Sequence, residues 1–396
     1  MNDLLLRLAG PSDACDAATA ETLRGLDAAA TARLLDVAAA VGIGGLAADR
    51  VGTWGRGRMA EAALGVAEAR RRAAVAGGML LERSLVRAVE ALEARAVPVL
   101  AFKGVILSRT LHGRVGVRDS EDTDLLVAPG DLPRAGEALA SLGFRRAVEI
   151  PERSSALFRR KGHQVPWIDD GGSVVDLHWS LAAPYDRVPF EASGIRDRSV
   201  SVDLAGRAVT TLGDEDLLVY LCYHGCKSLW MRLGWAADVA RLLEVRPGLR
   251  GDEALRIADA VGARRMLLVG LLLARDLLGA TLRGPLADAA ARDGTAAALA
   301  ARFRGILLGV APLPPEGGGR TLLHVRMREG TGRRLRYLRD LSFTPRPGDW
   351  DRRAASRAWR AVAGVARGAA AALSVAAAAL AAPAGTGGGV PGRAGG

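Results

Sequence analysis

The stretch "MLLERSLVRAVEALEARA" places Leu81, Leu85, Val89 and Leu92 at helical spacing with charged residues between them, and predicts a helix with one apolar face. Residues 1–96 as a whole read as helical. The texture then changes. "VPVLAF", a continuous apolar run from Val97 to Phe102 with a Pro near its edge, reads as a buried strand. It runs into Lys103-Gly104 and then "VILSRTLHG", one or two helical turns closed by Gly113. "TDLLVA" reads as the next strand, and "GDLPRAGEALASLGF" as a helix with Asp131 as N-cap and Gly143 as its stop.

"VPWIDDGGSVVDLHW" has the form of a hairpin, two β-rich runs around Asp169-Asp170-Gly171-Gly172. Beyond about Leu212 the helical pattern returns and continues to about Leu341. "FTPRPGDWDRR" is a turn-rich connector, and "APAGTGGGVPGRAGG" has the composition of an unfolded tail. The expected plan is α/β in the α+β sense: a small mixed sheet at 97–211 between helical regions at 1–96 and 212–345. A basic, Ala-rich helical extension at 346–380 and a disordered tail at 381–396 follow.

The 396 residues suffice for a large core, and 49% hydrophobic with 24% charged residues fits a globular protein. The net charge of +11 points to anionic partners, although much of the excess falls after Arg320. An Arg-rich run from Arg320 to Arg360 leaves nucleic-acid binding as a minority reading beside a solvated helix face. Aromatics at 4% argue against a base-stacking surface. Lys occurs only at 103, 161 and 227, every other basic residue being Arg. Three cysteines (Cys15, Cys222, Cys226) make no disulfide framework, and buried free thiols outweigh a zinc reading of Cys222 and Cys226 around His224. No signal peptide or membrane span is expected, the Ala-rich stretch near the C-terminus carrying Arg367. The chain reads as cytoplasmic.

Against this basic background, "RDSEDTDLLV" concentrates four acids immediately before an apolar strand. Side chains alternate along a strand, so Asp122 and Asp124 project from one face about 7 Å apart. They repel unless a cation lies between them, and hard carboxylate oxygens suit Mg²⁺, with Mn²⁺ as the alternative ion. Asp176, an acid inside the apolar run "VVDLHW", would complete the set if the two strands are neighbours. It could instead pair with an Arg. Three converging carboxylates could hold two metals about 4 Å apart, the arrangement used for in-line displacement at phosphorus. Asp119 and Glu121 read as solvated loop acids. Arg118 either binds phosphate or neutralises the acids. Lys103-Gly104 reads as a phosphate-binding turn at the start of a helix, with a strand-end lysine in solvent as the alternative for Lys103. His178 is read equally as structural or catalytic. Positions 224, 227, 231, 234 and 238 are spaced so that His224, Lys227 and Asp238 share one stripe if a single helix runs through Gly225 and Gly234. That stripe would bring Lys227 to phosphate and His224 to the acceptor or base.

The segment "LAFKGVILSRTLHGRVGVRDSEDTDLLVAPGDLPRAGEALASLGF" resembles the uncharacterised nucleotidyltransferase family of the polymerase-β-like superfamily. "GHQVPW", "VVDLHWSL" and "LCYHGCKSLWMRLGWAADVARLL" extend the likeness to roughly residues 3–365. It implies metal binding by Asp122, Asp124 and Asp176, and triphosphate contacts at Lys103 and Gly104. The reaction implied is transfer of a nucleoside monophosphate from ATP or another NTP to an unidentified acceptor (small molecule, peptide or protein), with release of pyrophosphate. Asp176 could take the acceptor's proton. The wider superfamily has Gly-Ser where this chain has Lys103-Gly104, and the family often pairs two His where this chain has Gly162-His163, which leaves the role of His163 open. The alternatives are a non-catalytic nucleotide- or RNA-binding module of the same fold, and a protein-interaction partner using the helical regions.

Overall fold

The computed structural model describes residues 3–150 and 152–343. The expected extension at 346–380 and tail at 381–396 lie outside the described residues, as does nearly all of the connector. Five helices come first: α1 (Asp3–Ala9), α2 (Ala17–Arg24), α3 (Ala28–Ala40), α4 (Gly44–Trp54) and the long α5 (Glu61–Glu93). Asp16 and Asp27 cap α2 and α3, their carboxylates accepting from the N–H groups of Thr19 and Ala30 at 2.6 Å. On α5, Leu85, Val89 and Leu92 are buried as their spacing predicts, while Leu81 is half-buried beside a surface groove.

The central region follows as β1 (Leu100–Phe102), α6 (Gly104–His112), β2 (Asp122–Leu126), α7 (Leu132–Ser141), β3 (Arg145–Arg146), α8 (Glu152–Lys161), β4 (Gln164–Ile168) and β5 (Val174–His178). Gly113 closes α6 in the left-handed conformation, with φ of 71°. Asp131 stands at the N-cap of α7 but makes no capping hydrogen bond there; its carboxylate takes Arg134 instead. The sheet runs β1-β2-β5-β4-β3, with β2 and β5 parallel and every other pair antiparallel. The β4–β5 hairpin turns where expected, Gly172 taking φ of 81°. A second hairpin, β6 (Val200–Leu204) with β7 (Arg207–Thr211), was not anticipated. Its signal was present in the alternation of "VSVDL" and "RAVTT" around Ala205-Gly206, both at positive φ.

The C-terminal helices are α9 (Asp214–Lys227), α10 (Leu233–Val245), α11 (Gly251–Val261), α12 (Arg264–Leu278), α13 (Gly284–Arg292), α14 (Gly294–Leu307), α15 (Gly318–Arg326) and α16 (Thr331–Phe343). Strand alternation gives the sheet two different faces. Ala101, Leu125, Val165, Val175 and Leu177 pack with Leu85, Val89 and Ala138 of α5 and α7. On the other face Leu100, Phe102 and Leu126 join a larger cluster that takes residues from α1, α3, α4 and α9 to α12. The ring of Phe102 meets that of Tyr220 on α9 edge-on at 5.4 Å. The polar residues of this second face are therefore enclosed between the sheet and the helices. No helix among the described residues is long and apolar enough to cross a membrane.

Candidate active site

Parallel register sets Asp124 of β2 directly beside Asp176 of β5. Both project from the face that carries Phe102 and Leu126, and alternation adds Asp122 two residues before and His178 two residues after. One ligand atom each from Asp124, Asp176 and His178 lie within 4.8 Å of one another. Asp122 is outside that group of three but opens into the same pocket as Asp124.

Asp124 is the buried centre, its side chain 1% exposed. Its Oδ1 accepts from Lys103 Nζ at 2.7 Å and meets His178 Nε2 at 3.0 Å. Burial alone would raise this carboxyl, but Lys103 and His178 outweigh it and hold Asp124 ionised well below the usual range. Lys103 is lowered by burial and raised more by Tyr220 and Asp124, so it stays an ammonium. Asp122 is pushed up by burial and by the Asp124 charge, with Lys103 opposing. Burial also raises Asp176, whose Oδ2 accepts from Gln164 Nε2 at 2.8 Å.

The donor set tests whether a cation fits. Asp124 Oδ2 is buried without a hydrogen-bond partner, and so is His178 Nδ1. An orphaned carboxylate oxygen in the interior is costly, and a cation held with Asp176 and Asp122 would satisfy it. The residues present fit a divalent ion. At the neighbouring turn Lys103 takes φ 59° and ψ −151°, a conformation L-residues seldom adopt. Gly104 follows with φ of 45°, and a Cβ there would stand 3.1 Å from the Asp122 carbonyl oxygen and from Ser120 Oγ. The turn thereby lays the start of α6 against the base of β2. Above it is a pocket of about 180 Å³ walled by Lys103, Arg118, Asp122, Asp124, His224 and Asp238.

A family model described as uncharacterised nucleotidyltransferase matches residues 27–279. The chain belongs to this family. Among solved structures it is similar to the antibiotic-resistance factor ANT(2'')-Ia at 14% identity, covering 46% of this chain and 91% of that one with a TM-score of 0.34. It is also similar to an antigenic nucleotidyltransferase-like protein from Paracoccidioides brasiliensis at 16% identity, covering 52% and 94% with a TM-score of 0.33. No curated protein matches. At these TM-scores the two structures carry no argument about detail, and the family rests on the sequence model.

Around this pocket the remaining anticipated residues divide. Arg118 reaches the pocket, but its Nε lies 3.2 and 3.0 Å from the two carboxylate oxygens of Asp238, a buried partner. Asp119 is no solvated acid. Its oxygens accept from the N–H groups of Gly44 and Gly45 at 2.6 and 2.7 Å and so hold the start of α4. The single helix expected through residue 238 is broken: α9 ends at Lys227, and Leu229 and Trp230 take left-handed φ of 53° and 51°. His224 and Asp238 still line the pocket, from two helices rather than from one stripe. His224 lies edge-on to Trp235 at 5.3 Å, and burial keeps it neutral.

Lys227 lies deeper. Burial lowers its ammonium, with Asp186 opposing, and among the described residues it makes no ion pair. His163 is half-buried, its Nε2 enclosed without a partner and its pKa pushed down to about 3 by burial and then by Lys227. Cys222 and Cys226 are buried free thiols, as expected. Much of the described part of the Arg-rich run is engaged, Arg320, Arg328 and Arg339 pairing with Glu316, Asp186 and Asp340. Gln164 was missed as the partner of Asp176, because only the β4–β5 register brings the two strands together.

Proposed function

We propose that this protein is a Mg²⁺-dependent nucleotidyltransferase that moves a nucleoside monophosphate from an NTP to an acceptor hydroxyl or phosphate. The observation that carries the proposal is Asp124 beside Asp176 in strand register, with one Asp124 oxygen bare and the Lys103-Gly104 turn at its edge. Asp122, Asp124 and Asp176 are the residues that would hold the ion, with His178 in reach. Bound Mg²⁺ supplies charge neutralisation and Lewis acidity toward the phosphates.

The chain's own groups have separate tasks. The acceptor oxygen forms a bond to the α-phosphorus, the bond from that phosphorus to the bridging oxygen breaks, and pyrophosphate leaves with the electron pair. Asp176, held in place by Gln164, takes the acceptor's proton. Lys103 keeps Asp124 ionised and adds positive charge beside the phosphates. Arg118 and Asp238 brace the loop that delivers Asp122.

The test is pyrophosphate release and label transfer from each NTP with Mg²⁺, using cell extract as the source of acceptor. Asp124→Asn or Asp176→Asn should lower turnover about 1,000-fold or more while the protein stays folded. Undiminished turnover in both variants would end the proposal. The 2.7 Å Lys103–Asp124 pair favours one second reading, since it partly neutralises the centre without metal. A pure binding module would hold NTP with little dependence on Mg²⁺ and release no pyrophosphate, which calorimetry and a pyrophosphate assay separate.

A further inference from the structure

Two of the cations that line the acidic pocket are already engaged. Lys103 is on Asp124, and Arg118 is held by Asp238 with its Nη1 also on the Asp119 carbonyl oxygen at 3.2 Å. Arg232 is different. It is exposed, and among the described residues it takes part in no ion pair. It also lines two cavities at once: the 180 Å³ acidic pocket, and a groove of about 610 Å³ between α3, α5 and the β4–β5 turn. The cavities share Gly42, Arg118 to Glu121 and Arg232, so Arg232 stands at the seam where one opens into the other.

Its place is fixed by backbone packing. Gly234 N donates to the Val41 carbonyl oxygen at 3.1 Å, and a Cβ on Gly234 would fall 2.1 Å from the Gly42 carbonyl oxygen. The start of α10 is thus seated on the turn between α3 and α4. The Arg232 stem crosses Gly42, where an added Cβ would lie 3.3 Å from its Cδ. Beyond it the groove is walled by Leu35, Ala73, Ala74, Leu81 and Val105 together with Arg70, Ser108 and Ser173, a mixed lining of the size that small-molecule sites use. A guanidinium between an acidic pocket and a groove with apolar walls and polar side chains matches a ligand with phosphates at one end and a nucleoside at the other.

We infer that Arg232 binds the phosphates of the NTP, which lies across the seam with its nucleoside in the α3–α5 groove. This rests on the nucleotidyltransferase reading, so the experiment must separate the two. Binding of ATP, GTP, CTP, UTP and inorganic tripolyphosphate to the full chain is measured by calorimetry with Mg²⁺ present, after thermal melts show that each variant is folded. Arg232→Gln should weaken all four NTPs and tripolyphosphate about 10-fold or more, because the contact is to phosphate and not to base. Arg232→Lys should recover part of the loss. Ala73→Trp, which fills the groove from an exposed position on α5, should weaken the NTPs and spare tripolyphosphate.

Wild-type affinity in Arg232→Gln overturns the phosphate contact and leaves the nucleotidyltransferase reading standing. Wild-type NTP affinity in Ala73→Trp overturns the nucleoside placement. A wild-type chain that binds none of the five probes overturns the nucleotidyltransferase reading and this inference together.

Discussion

Asp119 and Asp122 stand three residues apart in one acid-rich run and have unrelated roles. Asp122 faces the pocket in strand register, as the alternation of "DTDLL" requires. Asp119 turns away and caps α4 through Gly44 and Gly45, 75 and 74 residues upstream. No local pattern could reveal that partnership, since it depends on where α4 lies in space. Asp119→Ala should cost about 1 kcal/mol of stability, read from denaturant unfolding, and should loosen the loop that carries Arg118 and Asp122. Lys103 poses a second question at this scale, because its backbone geometry suits glycine better than lysine. Lys103→Gly and Lys103→Ala both remove the ion pair to Asp124, but only the first relieves the backbone. The glycine variant should be the more stable of the two by about 1 kcal/mol, with turnover lost in both. Equal stability would mean that the turn stores no strain.

At the scale of elements, the sequence marks Gly225 and Gly234 as the weak points of one long helix, yet the chain breaks at neither. It reverses at Leu229 and Trp230, and the glycines admit close contacts. A Cβ on Gly225 would fall 2.5 Å from the Trp230 ring, and one on Gly234 would meet the Gly42 carbonyl oxygen. The two positions differ in what they hold. Gly225 lets Trp230 fold back into the core, and Gly234 seats α10 against the N-terminal helices, which places Asp238 and Arg232 at the pocket. Gly234→Ala should destabilise the protein by about 1–3 kcal/mol, the usual range for overpacking. It should also weaken NTP binding, since the contact it disturbs is backbone on backbone. A variant that melts like the wild type would show that the α3–α4 turn can move aside freely.

Across the whole molecule, half-buried histidines contribute to the response to acid. Burial, then Arg241 and Arg50, push His112 down to about 3, and burial, then Arg328, push His324 down to about 4. Both stay neutral in the folded chain, whereas the unfolded chain protonates them near 6.5. The unfolded state therefore binds more protons between those limits, and stability falls as pH drops below about 6.5. Each such histidine contributes at most about 1.4 kcal/mol per pH unit within its window. Melting temperature measured from pH 7.5 to 5 should decline, and His112→Gln should flatten the decline. An unchanged slope would remove His112 from the account.

By itself the sequence determined the parts whose physics is local. Helical and strand periodicity located α5, β1, β2 and the β4–β5 hairpin, glycine closed α6 and the hairpin, and motif spacing marked Asp122, Asp124, Asp176 and the Lys103-Gly104 turn. The tertiary structure decided what each charge meets. It set Asp124 beside Asp176, gave Lys103 to Asp124 and Arg118 to Asp238, and sent Asp119 to α4. Among many arginines it left Arg232 exposed at the seam between two cavities. Strand alternation and turn geometry act over a few residues and can be read along the chain. An ion pair or a hydrogen bond depends on distance in space, and pairs separated by 54 to 120 positions form only once the sheet register and helix packing are in place.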